Sequence, residues 1–273
     1  MRILLLGANG QIGQQLKYTL HSLGEVRACS RTDVNFTNTD SIRFVVRTFN
    51  PDVIVNTAAY TAVDQAEIQR ELAFQINVDA ITVLASEALR SNSWLIHYST
   101  DYVFDGSKQE FYSESDIPNP INVYGESKLA SEIVIKAGGP KHLIFRTTWV
   151  IGQYGHNFAK TVLRLAKERE YLNIINDQFG VPTTPELIAT VTATAIEAIS
   201  TSKSWPTGLY HLAPHGQTTW YGIAQTLLQV AQDQRLALSI DANTLYPIET
   251  ANYPTPARRP ANSLLNTCKL ERQ

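Results

Sequence analysis

The sequence predicts an α/β fold, a doubly wound parallel sheet of Rossmann type with a smaller C-terminal domain. Three observations predict it. A short apolar run, Ile3-Leu4-Leu5-Leu6, leads straight into the glycine-rich Gly7-Ala8-Asn9-Gly10-Gln11-Ile12-Gly13, with a helical pattern behind it. Strand-like and helix-like segments then alternate as far as Phe145, which is the signature of βαβ units and a parallel sheet covered on both faces. Beyond Trp149 the alternation loosens, and a second, smaller domain is expected there.

Taken in order, Arg2 to Leu6 is the first strand, and Ile12, Leu16 and Leu20 lie on one face of the helix that follows. Val26 to Cys29 forms a second strand. The breaker Asn50-Pro51-Asp52 precedes a third, Val53-Ile54-Val55. A long helical pattern runs from about Ala62 to Leu89, and Trp94 to Tyr98 is the fourth strand, ending at Ser99-Thr100-Asp101. Tyr124 to Lys136 is helical and His142 to Phe145 is the fifth strand. In the looser part, Phe158 to Lys167, Pro185 to Ile199 and Trp220 to Gln232 read as helices, and Gly208 to Leu212 as a strand. The tail Tyr253 to Pro260 is turn-rich and irregular.

Composition excludes several classes of function. Of 273 residues 44% are hydrophobic and 18% charged, enough for a large core in one or two compact domains. The net charge of −2, with no long basic or acidic run, does not point to nucleic acid or a membrane surface as partner. The N-terminal apolar run is too short for a signal peptide or a membrane span. Two isolated cysteines, Cys29 and Cys268, form neither a disulfide framework nor a thiolate metal site, so a reducing, cytoplasmic setting is expected.

The residues that point to chemistry cluster at strand ends. Glycines let a backbone approach a pyrophosphate, and free N–H groups at a helix start bind its charge. The spacing here is Gly-x-x-Gly-x-x-Gly, and the alternative is a tight turn that packs helix on strand. Small residues in Ala58-Ala59-Tyr60-Thr61-Ala62-Val63-Asp64, after the third strand, admit a cofactor or simply close packing. The fourth strand's exit carries Thr100, whose hydroxyl can hydrogen-bond a carbonyl oxygen that gains negative charge, or else satisfy backbone at a strand end. Tyr124 and Lys128 stand four apart and so share a helix face. A nearby ammonium favours a phenolate, and the pair can exchange a proton with a substrate oxygen.

On these motifs the chain resembles the extended short-chain dehydrogenases/reductases and, within them, the dTDP-4-dehydrorhamnose reductases. The match runs from the glycine loop through Ala58–Asp64, Tyr98–Phe104, Asn122–Leu129, Arg146–Val150, Asn157–Lys160 and Asn176–Gly180 to Tyr253–Pro260. The resemblance implies an NADPH- or NADH-dependent reduction of the 4-keto group of dTDP-4-dehydro-L-rhamnose, a step towards surface polysaccharide. Gly7, Gly10, Gln11, Ile12 and Gly13 would line the pyrophosphate, Asn35 and Phe36 the adenine end. Ala59, Tyr60, Thr61 and Tyr98 would flank the dinucleotide. Tyr124 would donate the proton, and Lys128 would hold the nicotinamide ribose and lower the tyrosine's pKa. Thr100 would polarise the keto group, and Thr100, Asp101 and Trp149 would contact the sugar. Residues 1–148 would bind the dinucleotide and 149–273 mainly the substrate, with some late segments returning to the sheet. From charge alone, Arg258 and Arg259 are candidate partners for the substrate diphosphate, or else a solvated turn.

The chain departs from the family's pattern in two places. Where relatives often carry an acid for the adenosine ribose, this chain has Ser30 followed by Arg31, which predicts NADPH at least as good as NADH. Some relatives form a magnesium-linked dimer through glutamates. Here Glu186 is kept, Gln15 replaces one, and the chain stops at Gln273, before the third. No metal, and a monomer or metal-independent homodimer, is therefore expected. Three alternatives remain open. A nucleotide-sugar dehydratase is disfavoured by Asp101-Tyr102 in place of Asp-Glu. A 4-epimerase would give no net reduction. A non-catalytic dinucleotide-binding regulatory subunit would be expected to lack part of the Thr100, Tyr124, Lys128 set.

Overall fold

The computed structural model describes residues 1–201 and 205–273. Six parallel strands form one sheet in the order β2-β1-β3-β4-β5-β8: β1 (Arg2–Leu6), β2 (Glu25–Cys29), β3 (Val53–Asn56), β4 (Trp94–Thr100), β5 (His142–Thr147) and β8 (Gly208–His211). The order reverses between β1 and β3, where Leu6 pairs with Asn56. In open α/β sheets that switch point, at the carboxyl ends of the strands, is where ligands bind.

Both faces of the sheet are covered, which is why β3 and β5 are buried along their whole length. On one face, Leu4, Ile54, Leu95 and Ile144 pack against α2 (Thr39–Phe49), α5 (Ala80–Arg90) and α6 (Val123–Gly138). On the other, Ile3, Leu5, Val55 and Phe145 pack against Leu16 of α1 (Gln11–Thr19) and against Ile188 and Ile196 of α8 (Pro185–Ser200). The alternation follows from the period of two along a strand. Thus α8 and β8, late in the chain, belong to the sheet layer. The remaining late elements form their own small core, in which Val162 and Ala166 of α7 (Phe158–Glu168) meet Ala224 and Leu228 of α9 (Trp220–Asp233). Two short strand pairs edge this core: β6 (Leu172–Ile175) with β10 (Leu245–Ile248), and β7 (Phe179–Gly180) with β9 (Thr218–Thr219).

Three features differ from the sequence-based expectation. Helix α2 was not anticipated, although Ile42, Val45, Val46 and Phe49 give it a buried stripe and Asn38 caps it by accepting from the Asp40 N–H. The continuous helix expected over 62–89 is broken at Gln69, whose φ of −111° and ψ of 46° are not helical. It becomes α3 (Val63–Ile68), α4 (Arg70–Phe74), a π turn at Gln75–Asp79 and α5. The segment Arg70–Arg90 is the only described one long and apolar enough by composition to cross a membrane, yet its apolar residues Ile81, Leu84 and Ala88 sit in the core beneath the sheet. Third, the small core's strands are two to four residues long, too short to show a period in sequence.

Candidate active site

A cavity of about 850 Å³ opens at the carboxyl ends of β1, β3, β4 and β5. The glycine loop forms its floor. Gly7 has φ +79°, and a Cβ there would lie 2.5 Å from the Ala58 amide nitrogen. A Cβ on Gly13 would lie 2.2 Å from the Gly7 carbonyl oxygen. Loop, helix and β3 can be this close only without those side chains. Helix α1 starts without a capping side chain at Gly10, and Gly10, Gln11, Ile12 and Gly13 line the cavity. Its first-turn N–H groups therefore suit a phosphate. The Gln11 side chain ties this helix start to the later chain: its Oε1 accepts from the Asn157 Nδ2 at 2.9 Å and the Gly152 N–H at 3.2 Å.

At the outer end, Ser30, Arg31, Asn35 and Phe36 line the same cavity. Ser30 stands where relatives often carry an acid, and an acid of the same turn engages it. The Asp33 carboxylate accepts from both the Ser30 N–H and its hydroxyl, each at 2.7 Å, and those bonds hold its pKa below the usual carboxylate value. An acid three residues on in the same turn thus occupies the serine. Ala59, Tyr60, Thr61 and Tyr98 form the wall between the two ends. The π turn serves this wall: buried Asn77 accepts from the Tyr60 N–H at 2.8 Å and donates to the Tyr60 carbonyl at 3.0 Å and the Ser127 hydroxyl at 2.9 Å. The Tyr98 hydroxyl meets that of Thr192 at 2.7 Å.

Thr100, Asp101, Tyr124 and Lys128 converge at the inner end. Helix α6 is positioned by three contacts. Asn122 caps it through the Gly125 N–H at 2.7 Å, Glu67 accepts from the Val123 N–H at 2.8 Å, and a Cβ on Gly125 would lie 2.1 Å from the Tyr102 carbonyl oxygen. The Tyr124 ring packs edge-on to Tyr102 with centroids 5.7 Å apart. Thr100 donates to Asp101 Oδ1 at 3.0 Å and accepts from the Tyr102 N–H at 3.2 Å. Burial pushes Asp101 up to about 6. Its Oδ2 and the hydroxyls of Thr147 and Thr148 are buried without a hydrogen-bond partner, an orphaned polar group of the kind a polar ligand satisfies.

The electrostatics correct one expectation. Lys128 does not depress the Tyr124 pKa in this structure. Burial pushes the phenol well above its usual value, Asp101 adds to that, and Thr100 partly offsets it. Tyr124 is therefore held as the neutral phenol, the form a proton donor requires. Lys128 is itself pulled down to about 8, chiefly by burial, with Glu132 acting the other way. Its Nζ lies 3.1 Å from His97 Nε2.

Trp149 lines the cavity and is also a core residue, only 9% exposed, so it can both meet a ligand and hold the packing. Its ring stacks on Trp220 at 3.7 Å, and Gly180 lies so close behind it that a Cβ there would meet Trp149 Cε2 at 2.6 Å. The arginines fall elsewhere. Neither Arg258 nor Arg259 lines the cavity. Arg259 is bound to Asp64 by contacts of 2.7 and 3.1 Å and to Thr255 at 2.6 Å, and Asn122 donates to the Arg258 carbonyl at 2.7 Å. This tail braces the start of α6. No motif in the sequence singles out Asn56, Asn77, His97, Ser131 or Trp220. Only buried polar residues within apolar strands, Asn56 and His97, left any signal there.

A family model described as RmlD substrate binding domain matches residues 1–273. The chain belongs to this family. The dTDP-4-dehydrorhamnose reductase of Escherichia coli (strain K12) is 48% identical over 275 residues, 99% of this chain and 91% of that protein. Two solved structures are similar as well. A dTDP-4-dehydrorhamnose reductase ortholog from Clostridium acetobutylicum has a TM-score of 0.90 at 34% identity, covering 100% of this chain and 92% of that one. The dTDP-4-dehydrorhamnose reductase from Bacillus anthracis str. Ames in complex with NADP has a TM-score of 0.87 at 34% identity, covering 99% and 92%. For this member of the RmlD family, the glycine floor and uncapped helix start fit a dinucleotide of that kind.

Proposed function

We propose that the protein reduces the 4-keto group of dTDP-4-dehydro-L-rhamnose to a hydroxyl with NADPH or NADH, as a cytoplasmic step of dTDP-L-rhamnose biosynthesis. The observation that carries this reading is the convergence of Thr100, Tyr124 and Lys128 in one cavity with the glycine floor, in a chain whose curated relatives bear that name. The nicotinamide supplies the hydride. As charge grows on the keto oxygen, Tyr124 delivers its phenolic proton and Thr100 donates a hydrogen bond. Asp101 and Trp149 orient the sugar, and Lys128 holds the nicotinamide ribose. The small core of α7 and α9 supplies the substrate side, because Trp220 brings it to the cavity. Remote contacts to thymidine and diphosphate position the reacting carbon. Steady-state loss of NADPH absorbance on adding the keto sugar tests this; rates no higher than without sugar would refute it.

Three expected outcomes follow. Trp149→Ala should raise the KM for the keto sugar by about tenfold and also destabilise the protein by about 3–5 kcal/mol, the scale for removing a buried aromatic. Kinetics and a thermal melt on one preparation check both. In cofactor choice, Arg31 attracts a 2′-phosphate while Asp33 repels it, so both cofactors should serve, NADPH at least as well as NADH. Asp33→Asn should shift the kcat/KM ratio towards NADPH by roughly two- to fivefold, the scale of one exposed charge contact. An unmoved ratio would remove Asp33 from the account. Finally, magnesium needs several oxygen donors. No three His, Cys, Asp or Glu converge among the described residues, and Gln15 offers a neutral amide. Activity should survive prolonged EDTA treatment in a monomer or metal-independent dimer; loss restored by magnesium would contradict this.

A further inference from the structure

We propose that His97 is a positioning residue for Lys128: oriented by Asn56, its ring turns an N–H rather than a lone pair toward the lysine, and so favours the free-amine form of Lys128. The role of Lys128 in turnover rests on the reductase reading above; the orientation of His97 does not.

The direction of the Asn56 amide is determined by its neighbours. The Ala58 N–H donates to Asn56 Oδ1 at 3.1 Å, so the opposite atom, facing His97 Nδ1 at 3.1 Å, is the Asn56 NH2. An NH2 group only donates, so His97 Nδ1 accepts. Complete burial and the neighbouring lysine hold the imidazole well below its usual pKa, and the ring is neutral. Its single proton is therefore on Nε2. Two atoms stand before that proton, Ser131 Oγ at 3.2 Å and Lys128 Nζ at 3.1 Å. The Ser131 hydroxyl spends its own hydrogen on the Lys128 carbonyl at 2.6 Å, which leaves the Ser131 oxygen free to accept. An ammonium carries three donors and no lone pair, so at this place it would face another N–H. The free amine has a lone pair and can share the Nε2 proton.

Other charges around α6 do not reverse this. Glu132, one turn on, favours the ammonium, but it is bound by Arg146 of β5 at 2.7 and 2.8 Å and by Ser99 of β4 at 2.6 Å. From the turn after β4, Asp101 bears on Tyr124. On α3 and α4, Glu67 is used by the Val123 N–H and Arg70 by Glu126, while Glu87 of α5 is used by Arg47 and Arg90. Burial, with Glu132 acting the other way, brings Lys128 down to about 8, within the working range. Activity that depends on its ammonium form is present below that value and falls as pH rises through it.

Nitrogen-15 NMR of histidine-labelled protein reads the tautomer directly, with His97 assigned by its displaced signal in Ser131→Ala. The expected spectrum is a neutral ring protonated on Nε2 from about pH 6 to pH 9. A ring protonated on Nδ1, or on both nitrogens, overturns the inference. His97→Gln gives the second reading, since its side-chain carbonyl can accept from the ammonium. The basic limb of kcat/KM should move up by about one pH unit or more. An unmoved limb, with rate and thermal midpoint reduced together, would make His97 merely structural. The NMR arm needs no substrate, so a wrong tautomer leaves the reductase reading standing. An inactive protein with the expected tautomer would sink that reading alone.

Discussion

Tyr124→Phe is expected to retain dinucleotide affinity and to lose turnover by about 10²–10⁴, the usual contribution of a general acid. The substitution deletes one hydroxyl from a ring that rests against Tyr102, and the Asn122 cap and the Gly125 contact that position α6 remain. Fold and cofactor site should therefore be intact, and the loss should fall on kcat. The tyrosine suits this role because burial and Asp101 keep it protonated. A donor must hold its proton until the keto oxygen gains charge, so a high pKa in the ligand-free protein is no obstacle. Cofactor titration by fluorescence beside single-turnover kinetics separates the two quantities. Turnover near that of the unmodified protein would remove Tyr124 from the mechanism.

Thr100→Val should cost about 10²–10³ in kcat, the scale for one donor to a developing oxyanion. Two effects are superimposed here. The hydroxyl also accepts from the Tyr102 N–H and donates to Asp101, so valine leaves a buried N–H and a carboxylate oxygen without partners. That costs stability of about 1–3 kcal/mol for each group left unsatisfied. Thr100→Ser keeps the hydroxyl and should recover most of both. A serine variant as slow as the valine variant would place the effect in packing rather than in the hydrogen bond.

The sheet was legible because its strands are continuous apolar runs and its glycine loop has a steric reason for each glycine that matters. The Tyr124 and Lys128 pair was legible because a helix brings residues four apart together, and Thr100 because strand ends line the ligand crevice. What sequence could not supply were contacts made by distant segments. That Asp33 returns onto Ser30, that Asp64 holds Arg259, and that Trp220 stacks on Trp149 are tertiary facts with no periodic signal. Arg259 gives no sign in sequence of its partner, because the carboxylate that holds it comes from a distant segment. The sign of the Tyr124 shift was also beyond sequence, because it depends on how deeply the phenol is buried and on which charge lies nearest.

The most direct test follows the hydride. The protein is supplied with NADPH deuterated at the transferred position of the nicotinamide and with dTDP-4-dehydro-L-rhamnose, and the product sugar is examined by proton NMR. The expected product is dTDP-L-rhamnose carrying deuterium at carbon 4, with one NADPH consumed per sugar. An epimerised or dehydrated sugar, formed with no net consumption of NADPH, would contradict it.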